Sequence, residues 1–538
     1  MAETPGSPLE PPLHLSVAAP SGELPADPGG RAPTIRKPSL AESLLAIGIL
    51  IALIALTVGL FGVDATGGPL QVALLLAALG AGLLSWRLGN TSAAVRDAAI
   101  GGVSSAMGAV YILLAVGALI GTWNLAGTIP TIVYYGIGLL QPNLFYVSAA
   151  VICGLVGLSI GSSWTTAATL GVGLVALAPA MGASSAITAG AVISGAYFGD
   201  KMTPISETTV LVPSLVGGVT TQQHIGAMVW TSIPAIAIAA ILFTILGFAG
   251  VGESVPFDRA GTQAALAAEF NISLLNLLPM LVLIILSLRR APPFAAILTS
   301  AVLAGVMAWF TQPHVITAFT GEEAGLAANI KALYMAMANG FVSTTGNDTI
   351  DSLFSRGGMS SMLYTIWLVL GALSFAAIAE SAGFLGRLIE PVVAAAKSAG
   401  ALLVAVIGTA IGLNIVAGDQ YVAIVMPSRV YRVAFQQRGI APRMLSRTVE
   451  DAGTVTSPLV PWNSCGAYMA GVLGVPTATY LPFCFFNLLS PAISLLYAVT
   501  GFRIERIEGS GATGPAEPAD GAIVPVATAP AETEGAQA

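Results

Sequence analysis

Apolar residues in this chain come in long blocks rather than in the alternating or amphipathic patterns of a water-soluble fold. Blocks of roughly 20 residues, the length that crosses a hydrocarbon layer about 30 Å thick, occupy residues 44–63, 70–88, 100–120, 228–248, 293–310, 362–379, 401–417 and 479–499. Shorter or broken apolar pieces lie between them. Spanning backbone must satisfy its own hydrogen bonds, so the pattern predicts an all-α polytopic membrane protein of about 12 transmembrane segments.

Composition agrees with that pattern. Of 538 residues, 55% are hydrophobic and only 9% charged, against about a quarter charged in soluble domains, and the mean hydropathy is +0.84. The net charge of -7 lies largely in the tails. Residues 1–40 carry Glu3, Glu10, Glu23 and Asp27 against Arg31, Arg36 and Lys37, and residues 509–538 carry Glu517, Asp520, Glu532 and Glu534 with no base. Both tails, 1–40 and 503–538, are rich in Pro, Ala, Gly and Glu and are expected to be disordered, because they cannot bury enough apolar surface to offset ordering entropy. The first apolar run follows some forty mostly polar residues and is long enough to span, so no cleaved signal peptide is expected. Cys153, Cys465 and Cys484 lack the spacing of a zinc site or a disulfide framework and read as small buried residues.

Internal matches divide the chain in two. GLSI at 157–160 returns as GLNI at 412–415, a shift of 255 (412 - 157), and TPIS at 203–206 is echoed by SPLV at 457–460, a shift of 254 (457 - 203). GAL at 117–119 recurs at 371–373. Tandem halves that build one site near the bilayer midplane are a hallmark of secondary transporters. The predicted organisation is a first transmembrane repeat over 41–250, a linker over 251–290 with a spare apolar segment at 274–288, and a second repeat over 291–502. Arg429, Arg432, Arg438, Arg443 and Arg447 fall between the paired motifs of the second copy, while the matching stretch of the first, 171–185, has no charge. Lys and Arg stay on the cytoplasmic side, so the copies are expected to be inverted. The arginine cluster is read as this topology signal, although anionic-lipid binding would also use it.

Polar, glycine-rich interruptions mark the candidate site, since unpaired backbone at membrane depth survives only where protein or a cavity satisfies it. They are GSSWTT (161–166), GDKMTPISETT (199–209), AGDQY (417–421) and EDAGTVTSPLVPWNSCG (450–466), and they predict discontinuous helices meeting at the repeat interface. An alkali cation takes hard oxygen donors, which suits sodium held by Asp200, Glu207, Asp419 and Asp451 with supporting oxygens from Ser162, Ser163, Thr203, Ser206, Thr456, Ser457 and Asn463. Burial favours the protonated form of a carboxylate and a bound cation the ionised form. One group therefore holds either a proton or a sodium ion, and that competition is exchange.

Plainer readings exist for each acid. Asp200 can pair with Lys201, Asp451 can cap a helix or lie in a loop, Asp419 can sit in a water-exposed turn, and Glu207 is similar in kind. The polar stretch 344–359, with Asn347, Asp348, Asp351 and Arg356, is read as a loop rather than a gate. Trp164 and Trp462 either shape the cavity or belong to an interfacial belt. His14, His224 and His314 give little support to a histidine proton relay. No nucleophile is paired with a base and no HExxH or cysteine-pair metal site occurs, so neither an enzyme nor a cofactor is expected. The expected partners are membrane lipids and sodium ions, not nucleic acid, with a homo-oligomer an open possibility.

Several motifs resemble the NhaC family of sodium/proton antiporters, within the broader ion transporter superfamily: ITAGAVISGAYFGDKMTPISETT (187–209), TGNDTIDSLFSRGGM (345–359), GDQYVAIVMPSR (418–429) and LSRTVEDAGTVTSPLVPWNSCGAYMAGVLGV (445–475). The resemblance runs from about residue 41 to about 501. It implies proton uptake against sodium export across the cytoplasmic membrane, serving pH and sodium homeostasis, with the sodium site near Asp200, Asp419 and Asp451. Glu207 stands where the family more usually has aspartate, and Thr165 and Thr166 where glycine and threonine often follow the tryptophan. Proteins similar to this family include malate/lactate exchangers, so the alternative is a proton- or sodium-coupled exchanger of a small carboxylate.

Overall fold

The structure, a computed structural model, describes residues 35–250, 259–323, 325–344, 346, 351 and 354–507. Most of both tails, including His14, lies outside the described residues, as do Asn347 and Asp348. Among the described residues the fold is helical, with one isolated antiparallel bridge between Ile440 and Arg506. Nine described helices are long and apolar enough to cross a membrane, or eleven if each of two bent pairs is one span. That is one to three fewer than the twelve or so expected.

Two parallel series of helices make up the molecule. The first comprises α1 (Leu40–Phe61), α2 (Pro69–Arg87), α3 (Ser92–Ser105), α4 (Met107–Leu125), α5 (Thr128–Leu139), α6 (Phe145–Ile160), α7 (Ser163–Thr166), α8 (Val172–Ala180), α9 (Ser185–Lys201), α10 (Glu207–Val216) and α11 (Thr221–Phe248). After α12 (Arg259–Glu269) and α13 (Leu278–Leu288) come α14 (Pro293–Thr311), α15 (Pro313–Thr320) and α16 (Leu326–Asn339). The second series continues with α17 (Leu363–Ser381), α18 (Phe384–Ala395), α19 (Ala399–Val416), α20 (Gln420–Gln437), α21 (Pro442–Val449), α22 (Ser464–Leu473), α23 (Thr477–Tyr480) and α24 (Phe485–Thr500). Equal lengths recur: α4 and α17 have 19 residues each, α5 and α18 have 12, α10 and α22 have 10. Contacts recur too. α11 packs on α24, α6 on α11 as α19 on α24, and α9 on α24 as α21 on α11.

Two predicted runs are broken. The block at 100–120 is split at Ala106 between α3 and α4, where Gly101, Gly102, Ser104, Ser105 and Gly108 are weak helix formers. Gly102 also lets α3 approach α17 closely, since a Cβ there would lie 2.7 Å from the Leu373 carbonyl oxygen. The block at 479–499 is interrupted likewise, α23 and α24 forming part of a pair bent by 58°. α4 is buried almost all round, as expected of a helix apolar on every face. Its Gly121 packs on backbone: a Cβ would lie 2.0 Å from the Ala336 carbonyl oxygen.

Candidate functional site

Each predicted interruption ends one helix and starts another. α6 stops because Gly161 turns left-handed (φ 74°) and donates its N–H to the Gly157 carbonyl at 2.8 Å. Ser162 then takes an extended conformation, and its hydroxyl accepts the Thr165 N–H at 3.2 Å to cap α7. A wide turn over Ala167–Gly171 carries α7 into α8. The second series of helices shows the same device. After α19, Gly418 is left-handed (φ 62°), and the extended Asp419 accepts the Val422 N–H at 3.1 Å to cap α20. The other two interruptions place Ser206 at the cap of α10 and Asn463 at the cap of α22, where Asn463 accepts the Cys465 N–H at 3.0 Å.

These four ends converge on a cavity of about 890 Å³ lined by Asp200, Glu207, Asp419, Ser162, Ser163 and Ser206, and so by polar groups of both series. Asp200 is buried, and its Oδ2 accepts from the Ser163 backbone N–H at 3.0 Å and the Ser163 hydroxyl at 2.8 Å. Ser163 is the first residue of α7, so a helix N-terminus faces the carboxylate, an orientation that favours negative charge. Asp419 Oδ2 accepts the Ser464 hydroxyl at 3.2 Å, and Glu207 is the most open of the three acids. Gln420, Tyr421, Thr208, Cys465, Glu380 and Arg290 also line the cavity, and sequence reasoning did not single them out. Gln420 and Tyr421 fall inside predicted interruptions, but nothing in the sequence says which way they turn. Trp164 forms part of the wall and stacks on Tyr468 at 3.9 Å between ring centroids, the Tyr468 hydroxyl donating to the Trp164 carbonyl at 3.0 Å. Trp462 donates its indole N–H to the Ile415 carbonyl instead and stays off this cavity.

Asp451 is placed elsewhere. It does not line the cavity. It forms an ion pair with Lys201, both side chains completely sealed from solvent. Thr231 donates its hydroxyl to Asp451 Oδ1 at 2.8 Å, Lys201 Nζ donates to Ser490 Oγ at 3.1 Å, and Arg447 Nε lies 3.8 Å from Asp451 Oδ2. Lys201 therefore serves Asp451 and not its neighbour Asp200, because successive helical positions point about 100° apart. Glu450, not picked out from the sequence, is also buried and accepts the hydroxyl of the cavity-lining Thr208 at 2.9 Å.

Four predicted oxygen ligands also fall off the cavity wall: Thr203, Thr456, Ser457 and Asn463. Thr456 and Asn463 bond the Asn414 side chain at 2.9 and 3.0 Å. Ser457 donates to Gln420 Oε1 at 2.8 Å. That bond is the counterpart of the one from Ser163 to Asp200, both residues displaced by 257 (420 - 163; 457 - 200). The first series thus pairs a hydroxyl with an acid where the second pairs an amide with a hydroxyl. His224 bonds Ser446, His314 bonds the Glu269 carbonyl, and neither lines the cavity. Among the described residues no three His, Cys, Asp or Glu side chains cluster as a metal site. A cation here would combine one or two carboxylates with hydroxyls and carbonyls, a donor set for a hard ion.

Comparison with known proteins follows the same lines. Residues 195–502 match the profile of the Na+/H+ antiporter family. The Na(+)/H(+) antiporter NhaC of Alkalihalophilus pseudofirmus is 35% identical, over 88% of this chain and 98% of its own. The malate-2H(+)/Na(+)-lactate antiporter of Bacillus subtilis is 34% identical, over 87% of this chain and 96% of its own. The arginine/ornithine antiporter ArcD of Halobacterium salinarum is 34% identical, over 87% and 93% respectively.

Proposed function

This chain belongs to the Na+/H+ antiporter family, alongside the NhaC proteins, and we propose that it exchanges sodium ions for protons across the cytoplasmic membrane, with Asp200 and Asp419 at the ion site. The observation that carries this reading is one cavity receiving carboxylates from both series of helices, each beside the hydroxyl-bearing start of a broken helix. Sodium held there replaces its water shell with Ser162, Ser163 and Ser206 oxygens and an ionised carboxylate. A proton on that carboxylate removes the charge the ion needs, so the two cargoes alternate. Glu207, the most open acid, draws cations to the mouth. Two repeats, 41–250 and 291–502, joined by the 251–290 linker and inverted relative to each other, would open the site to either side in turn. The parallel helix series and the one-sided arginine cluster support that arrangement.

Asp451 takes a different role here. With Lys201 it ties the end of α9 to the wide turn after α21, Glu450–Thr454, and so holds the two copies together beside the site. A carboxylate substrate in the ion cavity would face Asp200, Glu207, Asp419 and Glu380 against Arg290 alone, which favours a cation.

The test is sodium addition outside liposomes that contain the full-length protein, with internal pH recorded. Internal alkalinisation is expected, and Asp200→Asn should abolish it without loss of folded protein. A folded wild type that moves no protons on sodium addition sinks the proposal.

A further inference from the structure

Among the described residues two carboxylates are completely buried, Asp451 and Glu450, and only Asp451 is ion-paired. Glu450 opens the wide turn Glu450–Thr454 after α21. Its Oε1 accepts the Thr208 hydroxyl at 2.9 Å, while Oε2 has no hydrogen-bond partner. The Thr454 hydroxyl faces this carboxyl and is unpartnered as well. A hydroxyl donates to an ionised acid and accepts from a neutral one, so the pocket has a partner for either form.

The charges point the same way. Lys201 and Asp200 of α9 act on Glu450 through space, and Arg447 and Asp451 flank it in the chain. Lys201 and Arg447 stand against Asp451 alone, so an ionised Glu450 brings the sealed set to neutrality, and a proton on it leaves one unit of positive charge. The other elements packed on the turn add little. α10 brings Thr208, with Glu207 on the cavity wall, and α11 brings Thr231, bonded to Asp451, and His224, bonded to Ser446. Arg429 and Arg432 of α20 are exposed, and α19 and α24 have no charged side chain.

A wire of hydroxyls joins Glu450 to the ion cavity. Thr208 and Ser206 both line the cavity with their hydroxyls 3.3 Å apart, and Ser206 faces Asp200. The single Thr208 hydroxyl hydrogen goes to Glu450, so Ser206 is the donor to Thr208. A proton on Asp200 then has a path: it passes to Ser206 as Ser206 gives its own hydrogen to Thr208 and Thr208 its own to Glu450 Oε1. Three O–H bonds break and three form, Asp200 becomes a carboxylate and Glu450 a neutral acid. Each transfer runs between neighbours within or close to hydrogen-bond reach, the geometry proton transfer requires.

We infer that Glu450 is a proton-holding group of the exchanger, filled and emptied from the ion cavity through Ser206 and Thr208. Sodium in the cavity and a proton on Glu450 each add one positive charge to the same region, so each weakens the other. That opposition rests on the sodium site proposed above; the protonation of Glu450 does not.

Infrared difference spectra of the full-length protein across a pH series, recorded without sodium, detect the C=O stretch of a neutral carboxylic acid, and sodium binding across the same series reads the coupling. A pH-dependent carboxylic-acid band that E450Q removes is expected. E450Q, neutral at every pH, should bind sodium roughly 10-fold more weakly than wild type at alkaline pH, the effect of one lost charge a side chain away. At acid pH, where wild-type Glu450 is neutral too, the two should converge, whereas a merely structural loss weakens binding at every pH. T208V should keep the band but slow its appearance after a pH jump, and T208S should restore the rate. If E450Q does not fold, that rate decides: a band that rises in T208V as fast as in wild type overturns the inference. The absence of a Glu450-dependent band overturns it too, as does sodium binding weakened in E450Q by the same factor throughout the series. A wild type that shows the band but binds no sodium would count against the sodium site alone.

Discussion

Replacing Asp451 by asparagine strips the sealed ammonium of Lys201 of its carboxylate. Both side chains are fully buried, so water cannot take over. The Ser490 hydroxyl is the one other hydrogen-bond partner shown for Nζ, at 3.1 Å. Breaking a buried pair by removing one member costs about 3–5 kcal/mol, whereas replacing both members by apolar groups of similar volume is often neutral or stabilising. Asp451 also faces Arg447 at 3.8 Å, so its loss leaves two cations with Glu450 as the nearby acid. Asp451→Asn should therefore sit at the upper end of that range and Lys201→Met lower. The double variant Lys201→Met, Asp451→Leu should recover most of the loss, so that in a double-mutant cycle closed with the Asp451→Leu single variant its cost falls short of the sum of the two single costs by more than the smaller of them, about 3 kcal/mol. Unfolding in detergent micelles, followed by circular dichroism, measures each member. Additive single effects, or an Asp451→Asn cost below about 1 kcal/mol, would refute the claim that this pair holds the two series of helices together.

Two further predictions concern packing around the site. Gly121→Ala places a methyl 2.0 Å from the Ala336 carbonyl oxygen, a backbone atom that cannot swing away, so folded yield should fall sharply while Gly48→Ala, in open space on α1, changes little. Tyr468→Phe keeps the stack on Trp164 and loses only the bond to its carbonyl, about 1 kcal/mol. Tyr468→Ala opens the cavity wall and should make proton flux independent of sodium. Liposome pH recordings separate the two variants, and equal flux from both would dismiss a sealing role for the stack.

Much of the site could be read from the chain because its signals are local. A glycine followed by Ser162 or Asp419 inside an apolar block marks a stop and a cap, and the structure has both. Which way a polar residue turns is not local. Asp200 and Lys201 are neighbours, yet one faces the cavity and the other meets Asp451, 250 residues away. The i, i+4 spacing of Arg447 and Asp451 was the available hint that Asp451 had cationic company. Matching halves by short motifs also drifts: the motifs repeat at 254 or 255, but α17 starts 256 residues after α4 (363 - 107) and α22 257 after α10 (464 - 207). Thr456 and Ser457 are off the wall because their hydroxyls turn to the Asn414 and Gln420 side chains. Hydropathy does not register the split of the 100–120 block at Ala106, a kink that glycines permit and contact with α17 exploits.

The central claim is that sodium and a proton compete for carboxylates in one cavity. Equilibrium binding of radioactive sodium to the purified protein across a pH series tests it most directly. Affinity should fall as pH drops and the carboxylates take up protons, by up to tenfold per pH unit for a single shared site, and Asp200→Asn should remove that dependence together with the binding. Sodium affinity that stays constant across the series, or that Asp200→Asn and Asp419→Asn leave untouched, would contradict it.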